Sequence, residues 1–92
     1  MTPLPSVEEI IAAVAKHMGV FPLQVMKPRS AARAIAAYLM RYTRSMSYPE
    51  IAQALGFKSH TTVMDAVLAQ SHKENIAATA NEIVTAIEKA RK

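Results

Sequence analysis

Apolar residues recur at intervals of three and four along most of the chain, the period of one face of an α-helix. Val7, Ile10, Ile11, Val14 and Met18 form the first such run. Ser6 with Glu9 is a capping-box pattern, each side chain able to satisfy the other's free backbone N–H, and Gly19 is a natural stop. A helix over about 7–18 is predicted. Phe21-Pro22 can open a short helical turn, with proline at its first position, Leu23 and Met26 as buried anchors, and Pro28 as its end. The segment Lys27-Pro28-Arg29 then reads as a basic loop. Ser30 can cap a long helix over about 31–44, in which Ala32, Ile35, Leu39 and Tyr42 share one face and Arg33, Arg41 and Arg44 fall opposite.

The second half is punctuated the same way. Ser47 and Glu50 repeat the capping box, and Pro49 lies in a first turn, where a missing N–H does no harm. Ile51, Ala52 and Leu55 make the inner face of a helix that Gly56 breaks after two turns. Ser59 caps a further helix starting at His60, with Val63, Ala66 and Val67 facing inward. The polar stretch His72–Asn75 breaks the chain before a last amphipathic helix carried by Ile76, Ala80, Ile83, Val84 and Ile87. That helix ends in Lys89, Arg91 and Lys92, cations suited to a C-terminus. The expected fold class is all-α, with no strand.

Composition narrows the classes. With 92 residues, one domain over 1–92 with one core is expected. The 51% of hydrophobic residues includes 17 alanines, so less large side chain is available to bury than the percentage suggests. No cysteine is present, which excludes disulfides, Cys-ligated zinc and thiol nucleophiles. Two glycines and 5% aromatics argue against a β-sandwich or barrel. No apolar run approaches the ~18 residues of a membrane span. Met-Thr-Pro-Leu-Pro lacks the pattern of a secretory signal, so a cytoplasmic, nucleoid-associated location is expected. His17, His60 and His72 are too scattered for an i,i+4 metal pair and read as solvent-facing or capping residues, and the six methionines read as core filler rather than a ligand surface. No cofactor is expected.

Charge is where the composition becomes informative. The net charge is +4, yet residues 1–26 and 59–92 are close to neutral. Lys27, Arg29, Arg33, Arg41, Arg44 and Lys58 stand against Glu50 alone in residues 27–58, six bases to one acid. An anionic partner is implied for the middle third.

The stretch Ser47 to Ala66, SYPEIAQALGFKSHTTVMDA, has the order of a helix-turn-helix, spanning about 47–72: a two-turn helix, a glycine turn, then a helix with a polar start. Pattern alone equally permits an ordinary helical hairpin. Lys58, Ser59, His60, Thr61 and Thr62 tip the balance, because free N–H groups at a helix start attract phosphate. His, Ser and Thr can also hydrogen-bond base edges, and a Thr methyl can pack on a thymine methyl.

This stretch, preceded by ARAIAAYLMR, closely resembles the C-terminal DNA-binding domain of the bacterial replication initiator DnaA. The resemblance covers about residues 6–90. It implies a Trp-repressor-like helical domain that binds a short asymmetric box in double-stranded DNA. By matching position it makes His60, Thr61 and Thr62 major-groove readers, Lys58 the basic residue before them, and Arg33 a basic residue close to the DNA backbone. Ser59 stands where the family usually has Asp, itself a base-reading position. The basic loop is shorter than usual and leaves Lys27 and Arg29 as candidates for a minor-groove contact. Arg41 and Arg44 are added as phosphate contacts from their polar face.

No nucleotide site is expected. Gly56-Phe57-Lys58-Ser59 lacks the upstream glycine, the preceding strand and the spacing of a phosphate loop. Enzyme activity is the least favoured class. Two others remain open: a helical module with a protein partner, for instance a regulator of the initiator, and a nucleic-acid binder without sequence preference.

Overall fold

The structure, a computed structural model, describes residues 4–27 and 30–91. Those residues form six helices: α1 (Val7–Met18), α2 (Pro22–Val25), α3 (Ala31–Arg44), α4 (Tyr48–Leu55), α5 (His60–Ser71) and α6 (Ile76–Ala90). None is long and apolar enough to cross a membrane. Both capping boxes form as expected. Ser6 Oγ accepts from the Glu9 N–H at 3.1 Å while the Glu9 carboxylate accepts from the Ser6 N–H at 2.9 Å, and Ser47 and Glu50 do the same. Gly19 and Gly56 end α1 and α4 in the left-handed conformation. Ser45, after α3, adopts it too, at φ 54°.

The long helix α3 is the centre of the fold, packed by α1, α2, α4 and α5, while α6 lies along α1. Ile10 and Val14 of α1, Leu39 and Met40 of α3, Ile51 and Leu55 of α4, Val63 and Val67 of α5 and Ile83 of α6 meet in one core. Burying each such side chain is worth about 1.5–3 kcal/mol, so α4 and α5 are held by their inner faces rather than by propensity.

Two expectations about the core are corrected. The buried side of α3 is Ala32, Ala36, Ala37, Leu39 and Met40, whereas Ile35 is half-buried and Tyr42 is 60% exposed. A helix packed from several sides buries a wide arc, and small alanines mark it as effectively as large residues do. On α2, Val25 is fully buried and Met26 half-buried, but the expected anchor Leu23 is 83% exposed. Four residues make barely one turn, so only one side chain can face inward, and Val25 holds that position. Met40 is buried as core, Met26, Met46 and Met64 are half-buried, and Met18 is exposed. His17, His60 and His72 are all exposed, and no group of metal-ligating side chains occurs among the described residues.

Candidate nucleic-acid interface

The α4–α5 unit owes its shape to Gly56. At φ 74° the chain turns back on itself, and the Gly56 and Phe57 N–H groups both reach the Ala52 carbonyl, Phe57 at 2.9 Å. Four residues, Gly56 to Ser59, then separate α4 from α5. Val63 and Val67, fully buried, fix α5 beneath α3 and α4 and leave its first turn outside.

That first turn is capped from within. Ser59 Oγ accepts from the Thr62 N–H at 3.3 Å and lies 3.0 Å from Thr62 Oγ1. Of the four expected base readers, Ser59 and Thr62 therefore spend hydrogen-bonding capacity on the cap. His60 and Thr61 are exposed and make no side-chain hydrogen bond among the described residues. Unlike α1 and α4, which carry Glu8, Glu9 and Glu50 in their first turns, α5 has no acid there. Its positive end is uncompensated, with Lys58 exposed just ahead of the cap.

The arginines differ most from the sequence expectation. Periodicity puts Arg33 on a solvated face, yet it is only 9% exposed. Its guanidinium carbon lies 3.9 Å from the centre of the Phe57 ring, and Nη1 donates to the Gly56 carbonyl at 3.4 Å. Burial lowers its pKa from the ordinary guanidinium value. The wide buried arc of α3 and an aromatic ring in the turn draw it inside.

Arg41 is half-buried over the Tyr48 ring, 4.7 Å from its centre, and donates to the Met46 carbonyl at 3.0 Å, bracing the α3–α4 connection. Arg44 Nη1 donates to the Pro5 carbonyl at 2.8 Å. Near it, Glu50 is held below the usual carboxylate range, chiefly by the Ser47 backbone N–H and hydroxyl and to a smaller degree by Arg44. The three arginines of α3 are thus all engaged with the fold and do not form a free cationic face. Lys27 is exposed. Arg29 lies outside the described residues.

Phe57 and Tyr48, the aromatic platforms for two of these arginines, are residues that sequence reasoning missed. A bulky aromatic in a turn otherwise made of Gly, Lys and Ser was the available signal. Elsewhere, a groove of about 330 Å³ runs between α1 and α6, lined by Ala12, Ala13, Ile83 and Ala86. Its charged border is mixed, Glu9 and Glu82 with Lys16 and His17, and Glu9 is already paired with Arg91.

Comparisons with known proteins place the sequence in a family. The sequence model of one family, described as the bacterial DnaA protein helix-turn-helix, matches residues 7–69. A chromosomal replication initiator protein DnaA from Thermus thermophilus is 38% identical over 76 residues, covering 72% of this chain and 17% of that protein. The protein of the same description from Xanthobacter autotrophicus is 38% identical over 66 residues, covering 66% of this chain and 13% of that protein. The chain thus spans less than a fifth of the length of these relatives. The matched family is a DNA-binding unit and not a catalytic one. With the match running from the start of α1 nearly to the end of α5, the chain belongs to the bacterial DnaA helix-turn-helix family.

Proposed function

We propose that this domain binds double-stranded DNA with sequence preference by setting the first turn of α5 in the major groove. The observation that carries the reading is the state of that turn. It is capped, free of acids and fixed from below by Val63 and Val67, and it presents His60 and Thr61 with their side-chain hydrogen-bonding groups unused. Both residues can bond base edges, and each good base contact is worth about 1–3 kcal/mol of discrimination. Ser59 and Thr62 assist by holding the turn, with the Thr62 methyl available to a thymine methyl.

Lys27, Arg29 and Lys58 are the phosphate or minor-groove contacts of this reading, with Arg41 and Arg44 contributing charge from behind their internal bonds. Phosphate contacts set register and affinity; the base-edge residues set sequence. The relatives' role as chromosomal replication initiators supports a DnaA-box-like site and a place in replication initiation or its control. A nucleoid-associated, cytoplasmic location follows from such a role. Selection of bound duplexes from a random pool tests the proposal. An enriched motif of a few consecutive base pairs supports it, and a pool that stays random under tight binding refutes it.

A further inference from the structure

We infer that Arg33 is a positioning residue for base reading, locking the turn that aims α5, and not a phosphate contact. The inference rests on the proposed reading of DNA by α5. Three observations carry it. First, Arg33 is the buried charge of the fold's central helix, with little surface left to offer a phosphate. Second, its guanidinium lies 3.9 Å from the centre of the Phe57 ring, the range of a cation–π pair, and its Nη1 also reaches the Gly56 carbonyl. Third, Gly56 and Phe57 lie immediately ahead of Lys58 and the Ser59 cap, so whatever holds these two residues sets where α5 begins.

The mechanical consequence is specific. Residues 56–59 are a short turn, and Gly56 supplies a conformation in which the backbone has little intrinsic stiffness. The α4 side of the turn is tied by the Ala52 carbonyl. The α5 side is tied by Ser59. Arg33 ties the turn to α3, on which α5 also packs, beside the packing of Phe57 itself against the core. Without it the turn can sample other arrangements, and the fraction of molecules with His60 and Thr61 correctly aimed falls. A duplex held by phosphates alone tolerates a tilted α5. A base edge does not, since hydrogen bonds weaken steeply with misalignment.

The test compares Arg33→Met, Arg33→Lys and Phe57→Leu with the wild type on a selected site and on a random duplex, over a range of salt concentrations. A thermal melt checks that each variant is folded. The expected result for Arg33→Met is a ratio of specific to random affinity lower by roughly 3- to 30-fold, the range of a cation–π pair. The slope of log K against log[salt] stays unchanged. Phe57→Leu, which alters no charge, gives the same pattern, and Arg33→Met then costs clearly less in the Phe57→Leu background. Arg33→Lys keeps the charge but not the planar stack, and recovers only part of the discrimination.

A phosphate contact predicts the opposite set: a slope shallower by about 0.9 in Arg33→Met, equal losses on both duplexes, and full recovery in Arg33→Lys. That set overturns the inference. If Arg33→Met does not fold, Phe57→Leu and Arg33→Lys decide between the two. A wild-type protein without site preference would refute the proposed function instead, and the salt slope on random duplex would still show whether Arg33 touches phosphate.

Discussion

Gly56 and Gly19 offer a controlled comparison of stability with function. Both occupy helix C-caps in the left-handed region, at φ 74° and 70°, and a Cβ added at either meets nothing within 4 Å. Alanine at each position is therefore penalised only by its backbone conformation, about 1–2 kcal/mol, with no clash to add. For a domain of this size that is a fall in Tm of roughly 4–16 °C. Asparagine, which visits the left-handed region more readily, costs less at both sites. Thermal denaturation by circular dichroism measures the loss, and DNA affinity is read at a temperature where all variants are folded. Gly19→Ala leaves DNA binding unchanged, because Gly19 ends α1, outside the α4–α5 unit. Gly56→Ala lowers site preference, because strain in the turn is relieved by moving the start of α5. Equal DNA binding by the two variants would refute the argument that this turn aims α5. A Gly56→Ala loss far larger than that of Gly19→Ala would refute the claim that the turn is uncrowded.

The remaining predictions concern the scaffold and the charge. Glu9 is held at about 2 against an ordinary 4.5, first by its hydrogen bond from Arg91 and then by the Ser6 N–H. A carboxyl depressed in the folded state contributes stability that is complete above about pH 4.5 and lost as pH falls toward 2. Arg91→Ala flattens that acid limb of a Tm-against-pH curve, and parallel limbs in the two proteins would contradict the pairing. Leu23→Ser changes stability by less than about 0.5 kcal/mol because Leu23 is exposed, whereas Val25→Ala, at a fully buried site, costs about 2 kcal/mol by urea denaturation. The reverse ranking would mean α2 docks by its other side. With Arg33 buried, three to five cations remain to reach phosphates, so log K against log[salt] falls with a slope of roughly −3 to −4.5. A slope near zero with the duplex still bound would exclude the basic segment as the contact surface.

Helix boundaries were the most legible part of the sequence because they are set by local chemistry. Ser6, Ser30, Ser47 and Ser59 cap the four helices expected of them, and Gly19 and Gly56 end two of them in the left-handed conformation that favours glycine. Inner faces were legible where a helix packs on one side, as in Ile51, Ala52 and Leu55 of α4 or Ile83 and Ile87 of α6. They were not legible on α3, where four helices converge and alanines fill the closest approaches. The same failure displaced Arg33. A helical wheel puts a charge on the solvent side by default, and nothing local announces that an aromatic 24 residues later will receive it. In the candidate site, the order of polar residues at the start of α5 was readable. So was the Ser59 cap; that the Thr62 hydroxyl joins it, while the His60 and Thr61 side chains make no hydrogen bond among the described residues, depends on side-chain geometry that sequence does not specify.

The central claim is that the first turn of α5 reads bases. Its most direct test is the affinity of wild type, His60→Ala and Thr61→Ala for the selected duplex and for a random duplex of equal length, at one salt concentration. Both residues are exposed and neither holds the cap, so the fold survives each change. The account predicts a loss of about 1–3 kcal/mol, roughly 5- to 150-fold, on the selected duplex for a residue that reads a base, with the random duplex bound as before. Losses of the same size on both duplexes, or no loss on either, would contradict it.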